Sequence, residues 1–499
     1  MNKQKVPQIR SAILDVHSPI YLKSLKGKYC GGDVGDIYGL VDMASKAGFG
    51  YLQFTPIQDT GHNPCPYMGR SIFSYNPIFL SLDHLETEID FNQIDKDLLQ
   101  RVKKGTLDHV GYRRLYDFKV QVLRQLFDKA KGRNIMQEEG NEQVLAYAVF
   151  CALRNKYRSK WINWPNKFKF GSIQNIIKNH PSLHSEINFY LFSQRLLGGQ
   201  WADLNEYASQ KGVKLIFDKP IYPVHDSAEV WANQDLFYLN PDGSLKMASG
   251  CNNPKDPFGA QYWGHAVYKY KQKPKEVIEY YSKSIAFMSR IAQTIRLDHA
   301  LALVWKYYLM KPHSENGKHV PAIKHKLFNV LIKKYPGITF IAEDLGYVSK
   351  RNVDEPLIKH NIPGMRSLQW FKIPKYARVF AYPKLCLAMT SNHDLDSLPR
   401  WWQKLRQSRK LIFWKQIAEP PAKDYHNQIW QIVGLVFGSE ALWASITLRD
   451  LTFDLRRYNM PGVKNSQNWT ERMHINIEDV DFNPIGTIIK SSNRRNGII

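Results

Sequence analysis

Three apolar runs in this chain each stop on a carboxylate: Ile295-Arg296-Leu297-Asp298, Ile338 through Glu343-Asp344, and Leu385 through Asn392-His393-Asp394. Two earlier runs, Val213 to Asp218 and Gly50 to Asp59, repeat the pattern. Two carboxyl groups about 5 Å apart break a glycosidic bond with retention, one attacking the anomeric carbon while the other first donates and then accepts a proton. Asp298 and Glu343 close successive runs and are the candidate pair. Arg296 lies two residues before Asp298, so in a strand both side chains share a face, where the guanidinium is expected to keep Asp298 ionised as a nucleophile. His393 and Asp394 add an imidazole and a third carboxylate, suited to ring hydroxyls and to a distorted, oxocarbenium-like sugar. Singly, each residue has a structural use, since a strand-end Asp caps the next helix and an Asp–His pair closes a polar network. The constellation is what points to sugar chemistry.

Such residues need strands that end together. Parallel strands covered on both faces read as unbroken apolar runs, and in a (β/α)₈ barrel the reactive groups sit where the strands end. The expected fold is therefore α/β: a (β/α)₈ TIM barrel with helical and loop insertions, because 499 residues exceed the usual barrel of about 250. One catalytic domain is expected over 1–499. Residues 10–82 read as opening strands and a helix through Tyr38, Leu40, Val41 and Met43. From about 82 to 184 the texture becomes charged with helix period, a helical insertion containing Trp161 and Trp164, which read as a plug onto the barrel. Residues 222–268 read as a long active-site loop. Helices are expected over Phe189 to Lys211, Lys275 to Ala292 and Ile323 to Lys334, with a polar loop around Lys311 to Pro321.

Composition bounds the function further. A hydrophobic share of 43% supplies a full core, and 13 Trp with 27 Tyr suit a cleft that stacks sugar rings. The net charge of +24 invites nucleic acid, yet the basic residues are dispersed in short clusters, so no nucleic-acid partner is expected. Five widely spaced cysteines without a Cys-x-x-Cys pair support neither a disulfide framework nor a zinc site. The N-terminus lacks an apolar signal core. The most apolar stretch, Ile429 to Ile446, contains Gln431, Ser439, Glu440 and Ser445 and reads as a buried helix pair. A cytoplasmic protein with no membrane contact is expected; nothing here speaks to oligomeric state.

Arg296-Leu297-Asp298-His299, Glu343-Asp344-Leu345-Gly346 and Asn392-His393-Asp394-Leu395-Asp396-Ser397 resemble the amylomaltase family, the disproportionating 4-α-glucanotransferases of the α-amylase clan. So do Pro66-Tyr67 with Ser71 and Asn76-Pro77, Asp218-Lys219-Pro220-Ile221-Tyr222 with Asp226-Ser227 and Val230-Trp231, Pro363-Gly364-Met365, and Asn459-Met460-Pro461-Gly462 with Asn468-Trp469 and Arg472-Met473. The resemblance implies that Asp298 is the nucleophile, Glu343 the general acid/base and Asp394 the transition-state stabiliser. It also implies Arg296 as supporting cation, His393 as hydroxyl ligand, Tyr67 as stacking platform, and Asp218 and Trp263 among the substrate-binding residues. Malto-oligosaccharides or other α-1,4-glucans would be the substrates, with neither metal nor cofactor.

The chain departs from the family pattern at several points. Phe217 replaces the Gly before Asp218, Ser249 to Asp256 replaces a Gly-Val-Pro-Pro-Asp loop, and Ala260 to Ala266 differs around Trp263. Ala300-Leu301-Ala302 follows His299 where many members have Phe-Arg-Gly, and Arg449 stands for the usual Gln before Asp450. Two rivals remain open at this level: an α-glucan hydrolase using water at the same site, and a glucan-binding protein with a vestigial one.

Overall fold

The computed structural model describes residues 2–494 apart from 8, 25–31, 84, 104–108, 131–134, 253–258, 315, 346–349, 371–381, 418 and 463–466, with backbone only for 101–103, 137, 138 and 350–354. Eight strands close on themselves: β1 (Ser11–His17), β2 (Tyr51–Phe54), β3 (Lys214–Lys219), β4 (Thr294–Leu297), β5 (Thr339–Ala342), β6 (Gly364–Ser367), β7 (Cys386–Met389) and β8 (Trp443–Thr447). Each pairs in parallel with the next in chain order, and β8 returns to β1, with Ser11 opposite Trp443 and Leu14 opposite Ile446. This is the expected (β/α)₈ barrel.

The lumen explains the polar tips. Ile13, Tyr51, Ile216, Ile341, Met365, Leu387, Met389 and Trp443 pack into one apolar cluster. Strand side chains alternate with period two, so the residue two positions on faces the same way. There the sequence turns polar: Asp15 on β1, Gln53 on β2, Asp218 on β3, and Glu343 just past β5. Arg296 and Asp298 do the same at the end of β4. On these five strands the inward row thus changes from apolar floor to polar mouth.

The outward rows bury against helices. α1 (Val34–Ala47) presents Val34, Ile37, Leu40, Val41 and Ala44 at helical spacing, starts on an Asp33–Asp36 capping box and ends on Gly48 at φ 93°. An L-residue there would sacrifice roughly 1 kcal/mol. α2 (His184–Gln210) sets Trp201 edge-on to Phe217, 5.3 Å between ring centroids, and Phe217 stacks on Phe54 at 5.5 Å. Phe217, which stands where the family pattern has Gly, therefore fills the seam between β3 and α2. We take α2 as the crossover helix of the barrel and residues 82–184 as a helical insertion carried before it. Trp161 and Trp164 are buried there, with Trp164 against Phe150 and Trp231.

Three expectations need correction. Ile429 to Ile446 is not a helix pair: one helix, Tyr425–Gly438, ends at Ser439 and β8 follows. The helix buries Ile429, Ile432, Val433, Val436 and Phe437 at helical spacing, whereas β8 is buried at every position, so the run beyond Ser439 carries no distinguishing period. Residues 222–268 are not a structureless loop. They contain a helix, Ala228–Ala232, and two strands, Ala248–Cys251 and Gln261–Ala266. The polar loop at Lys311 to Pro321 is half of a hairpin, Lys306–Met310 with Gly317–Pro321. All four strands join in one antiparallel side sheet beside the barrel. Asn253 to Asp256 lie outside the described residues.

At the tip of β3 the outward position holds a lysine. Lys219 is 3% exposed, its Nζ lies 3.4 Å from the Pro220 carbonyl oxygen and 3.7 Å over the Tyr281 ring of α3 (Pro274–Met288), and burial pushes its ammonium down to about 7. The unfolded chain binds more protons between pH 7 and 10.5, so this site destabilises the fold fully below 7 and progressively less above it. The scale is roughly 3–5 kcal/mol. Lys219→Met should therefore raise the melting temperature by several degrees at pH 6.5, where Glu229, raised by burial to about 7, is mostly neutral. At pH 10 the gain should largely vanish. Equal gains at both pH values, or none, would disprove this.

Candidate active site

The charged mouth is built from five strand ends and two loops. Arg296 bridges inward to Asp218, its neighbour across the β3–β4 ladder, and lies 3.8 Å from Asp298 Oδ1. Tyr67 comes from the loop after β2, which is braced by Asp59: its carboxylate accepts from Tyr147 at 2.7 Å and pairs with Arg70 at 3.4 Å. The Tyr67 hydroxyl donates to Asp218 Oδ2 at 2.5 Å and lies 3.1 Å from His393 Nε2. Burial raises that phenol far above its usual pKa, which keeps it a donor. Its ring sits 5.8 Å from Trp469 and 5.7 Å from His393.

Glu343 is tied to the residue that follows Asp298. Its Oε2 accepts from the His299 amide at 2.9 Å and its Oε1 from Leu345 at 3.1 Å. His299 adopts φ 38°, a backbone region that non-glycine residues populate rarely and that marks constrained sites. The neighbouring Asp344 has another task. It accepts from the Met365 amide at 2.7 Å and from Arg366 at 2.8 Å, anchoring β6. A Cβ on Gly364 would lie 2.6 Å from its Oδ2, so only glycine fits there.

The three carboxyls of the mouth are driven apart in acidity. Burial pushes Glu343 up to about 8, with Asp298, Asp344 and Asp394 adding to the rise and Arg296 opposing it. Burial would raise Asp394 too, but His393 at 3.3 Å and Asn459, which donates to its Oδ1 at 2.7 Å, hold it at about 2. Asp298 is pulled both ways. Burial raises it above the ordinary value against the pull of Arg296 and His393, so the expectation that Arg296 fixes its ionised form is only partly met. The guanidinium is shared with Asp218, and burial outweighs what remains. The contrast between a carboxyl kept neutral, Glu343, and one kept ionised, Asp394, points to the acid/base role of Glu343 from environment alone.

Trp263 stands at the rim. Its ring meets His299 edge-on at 4.8 Å, carried there by the side sheet, and its Nε1 donates to Gln261 Oε1 at 3.1 Å. Sequence reasoning gave no role to Asn459, Arg457 or Trp469. Asn459 and Trp469 stood only in motifs; Arg457 Nη2 donates to the Asp394 carbonyl at 2.5 Å without any local signature. Among the described residues, no group of three or more His, Cys, Asp or Glu side chains is arranged to hold a metal ion. No helix among them is long and apolar enough to cross a membrane.

A family model described as 4-alpha-glucanotransferase matches residues 20–477. The chain belongs to this family. The 4-alpha-glucanotransferase of Clostridium butyricum is 29% identical over 482 residues, covering 92% of this chain and 96% of that one. The Aquifex aeolicus 4-alpha-glucanotransferase is 26% identical over 473 residues, covering 91% and 94%. In fold, the chain superposes on the amylomaltase from Streptococcus agalactiae, solved in complex with acarbose, with a TM-score of 0.84 at 23% identity, across 98% of this chain and 100% of that one. This 4-alpha-glucanotransferase therefore keeps nearly the full length of its relatives, and its departures around Trp263 and at Arg449 fall within a shared frame.

Proposed function

We propose that the chain, as one catalytic unit, moves 4-α-glucan segments between malto-oligosaccharides by double displacement. Asp298 attacks the anomeric carbon while Glu343 gives its proton to the departing 4-oxygen, and the reducing-end fragment leaves. Glu343 then takes the proton from the 4-hydroxyl of a second glucan or of glucose, which attacks the ester on Asp298 and restores the α-configuration. Asp394, ionised and held by His393 and Asn459, stabilises positive charge on the ring, and Asp218, Arg296, His393 and Tyr67 form the polar bed of the cleaved sugar. Trp263 and Trp469 wall the site, which favours a sugar acceptor over water.

The observation that carries this reading is the contrast between Glu343, raised to about 8, and Asp394, held at about 2, in the mouth they share with Asp298. Purified protein incubated with maltotriose alone should yield glucose and a ladder of longer maltodextrins by chromatography. Glucose and maltose without longer products would replace transfer by hydrolysis. Substrate unchanged with maltotriose and with longer glucans would leave only a binding role.

A further inference from the structure

Arg449 is 1% exposed, and its guanidinium holds three loops together. Its Nε donates to His17 Nε2 at 3.0 Å, its Nη2 to the carbonyl oxygens of Asn392 and Leu395 at 2.9 and 3.0 Å, and its Nη1 to that of Arg456 at 3.3 Å. Three of these acceptors are carbonyls and the fourth is an imidazole. A buried cation held by dipoles is expensive to desolvate, so packing alone does not account for it. Its rigid fork of donors is what reaches several acceptors at once.

Each acceptor leads to the same place. Asn392 and Leu395 bracket His393 and Asp394. Arg456 begins the segment whose Arg457 and Asn459 hydrogen-bond to Asp394. His17, at the end of β1, stands at φ 67°, a strained conformation for a non-glycine residue, and its ring lies edge-on to His393 at 6.2 Å. Because Arg449 donates to Nε2, the proton of the neutral imidazole must sit on Nδ1, which faces Asp15 Oδ1 at 3.1 Å.

We propose that Arg449 is a positioning residue for Asp394, fixing the His393–Asp394 turn from both of its ends and pinning His17 beneath it in one tautomer. This rests on Asp394 being the transition-state carboxylate. A displacement on the order of 1 Å at such a group costs about 100-fold in rate. Arg449→Gln, which installs the residue usual in the family, should lower kcat on maltotriose by about that factor, with KM within about twofold, because the carboxylate acts in the transition state. Arg449→Lys should not restore it, since a point charge cannot span the three loops.

The deciding measurement is a double-mutant cycle with Asp394→Asn, followed over long incubations. In that background Arg449→Gln should cost less than about threefold. A purely structural arginine would give equal losses in both backgrounds, in step with a lowered melting temperature, and that result overturns the proposal. So does full kcat in Arg449→Gln beside an inactive Asp394→Asn. Full activity in Asp394→Asn would instead bring down the catalytic reading, and this proposal with it. Should Arg449→Gln fail to fold, His17→Gln removes one of the anchors and is read in the same cycle, with a smaller loss that again disappears in Asp394→Asn.

Discussion

Asp298→Asn is expected to turn over maltotriose about 10⁵-fold more slowly than the unaltered enzyme, a loss on the order of 7 kcal/mol in transition-state stabilisation. The carboxamide is nearly isosteric with the carboxylate, so the pocket formed by Arg296, Asp394 and the His299 turn is preserved while the attacking oxygen loses its nucleophilicity. Stability should move the other way or stay level. Burial raises the Asp298 pKa, so the folded state takes up its proton at a higher pH than the unfolded chain does, and at neutral pH the ionised group destabilises the fold. A neutral Asn escapes that cost. Glucose release measured beside thermal melting checks both halves. A purified variant with turnover within tenfold of the original would remove Asp298 from the mechanism, whereas inactivity with a collapsed melting temperature would leave only a structural role.

The parts of this fold that could be read in the sequence are those where a short inward row changes character. β3, β4 and β5 end within one or two residues of Asp218, Asp298 and Glu343, as expected, because an apolar residue at one position and a charge two later leave a visible mark. β7 shows the limit of that signal. Its apolar run is a strand only to Met389, since Thr390 and Ser391 turn their hydroxyls to Asp450, at 2.5 and 2.8 Å, and Asn392 accepts from the Asp394 amide at 2.9 Å. Those side chains lead the backbone out of the ladder and set Asp394 on a turn. β8 merged with the helix before it because the strand, buried at every position, has no alternation to set it apart from the apolar stripe of that helix. The side sheet was invisible because Ala248–Cys251 finds its partners at 261–266 and 306–310, and short strands with long-range partners have no local signature.

The site divides along the same line. Asp298, Glu343 and Asp394 stand at strand ends in recognisable motifs, and Arg296 declares itself by its spacing from Asp298. Arg449, His17 and Arg457 act through bonds to backbone carbonyls or to residues as many as 432 positions away. A substitution such as Arg for Gln at 449 can be seen in the sequence, but its consequence cannot, because the carbonyls it meets belong to every residue type alike.

Glu343→Gln should separate donors by their leaving groups. On maltotriose, turnover should fall about 10³–10⁴-fold, since the departing 4-oxygen receives no proton and the acceptor has no base. An α-maltosyl fluoride leaves without protonation, so its first step should stay within about tenfold, and the ester on Asp298 should accumulate as one added maltosyl unit on the peptide that contains it. An equal fall with both donors would assign Glu343 to binding or folding. The pH profile tests the same group independently. Because the carboxyl is raised to about 8, the acid form is lost as pH climbs through that value, so the first step of the unaltered enzyme on maltotriose should decline above about 8. That alkaline limb should be absent from the first step of Glu343→Gln on the fluoride; if it persists there, it belongs to another residue. The second half-reaction needs the opposite protonation state, and the site can supply it. Asp298 is one of the charges that raise Glu343, and esterification cancels it, so the same carboxyl becomes a stronger acid when it must give up its proton and serve as the base for the incoming hydroxyl.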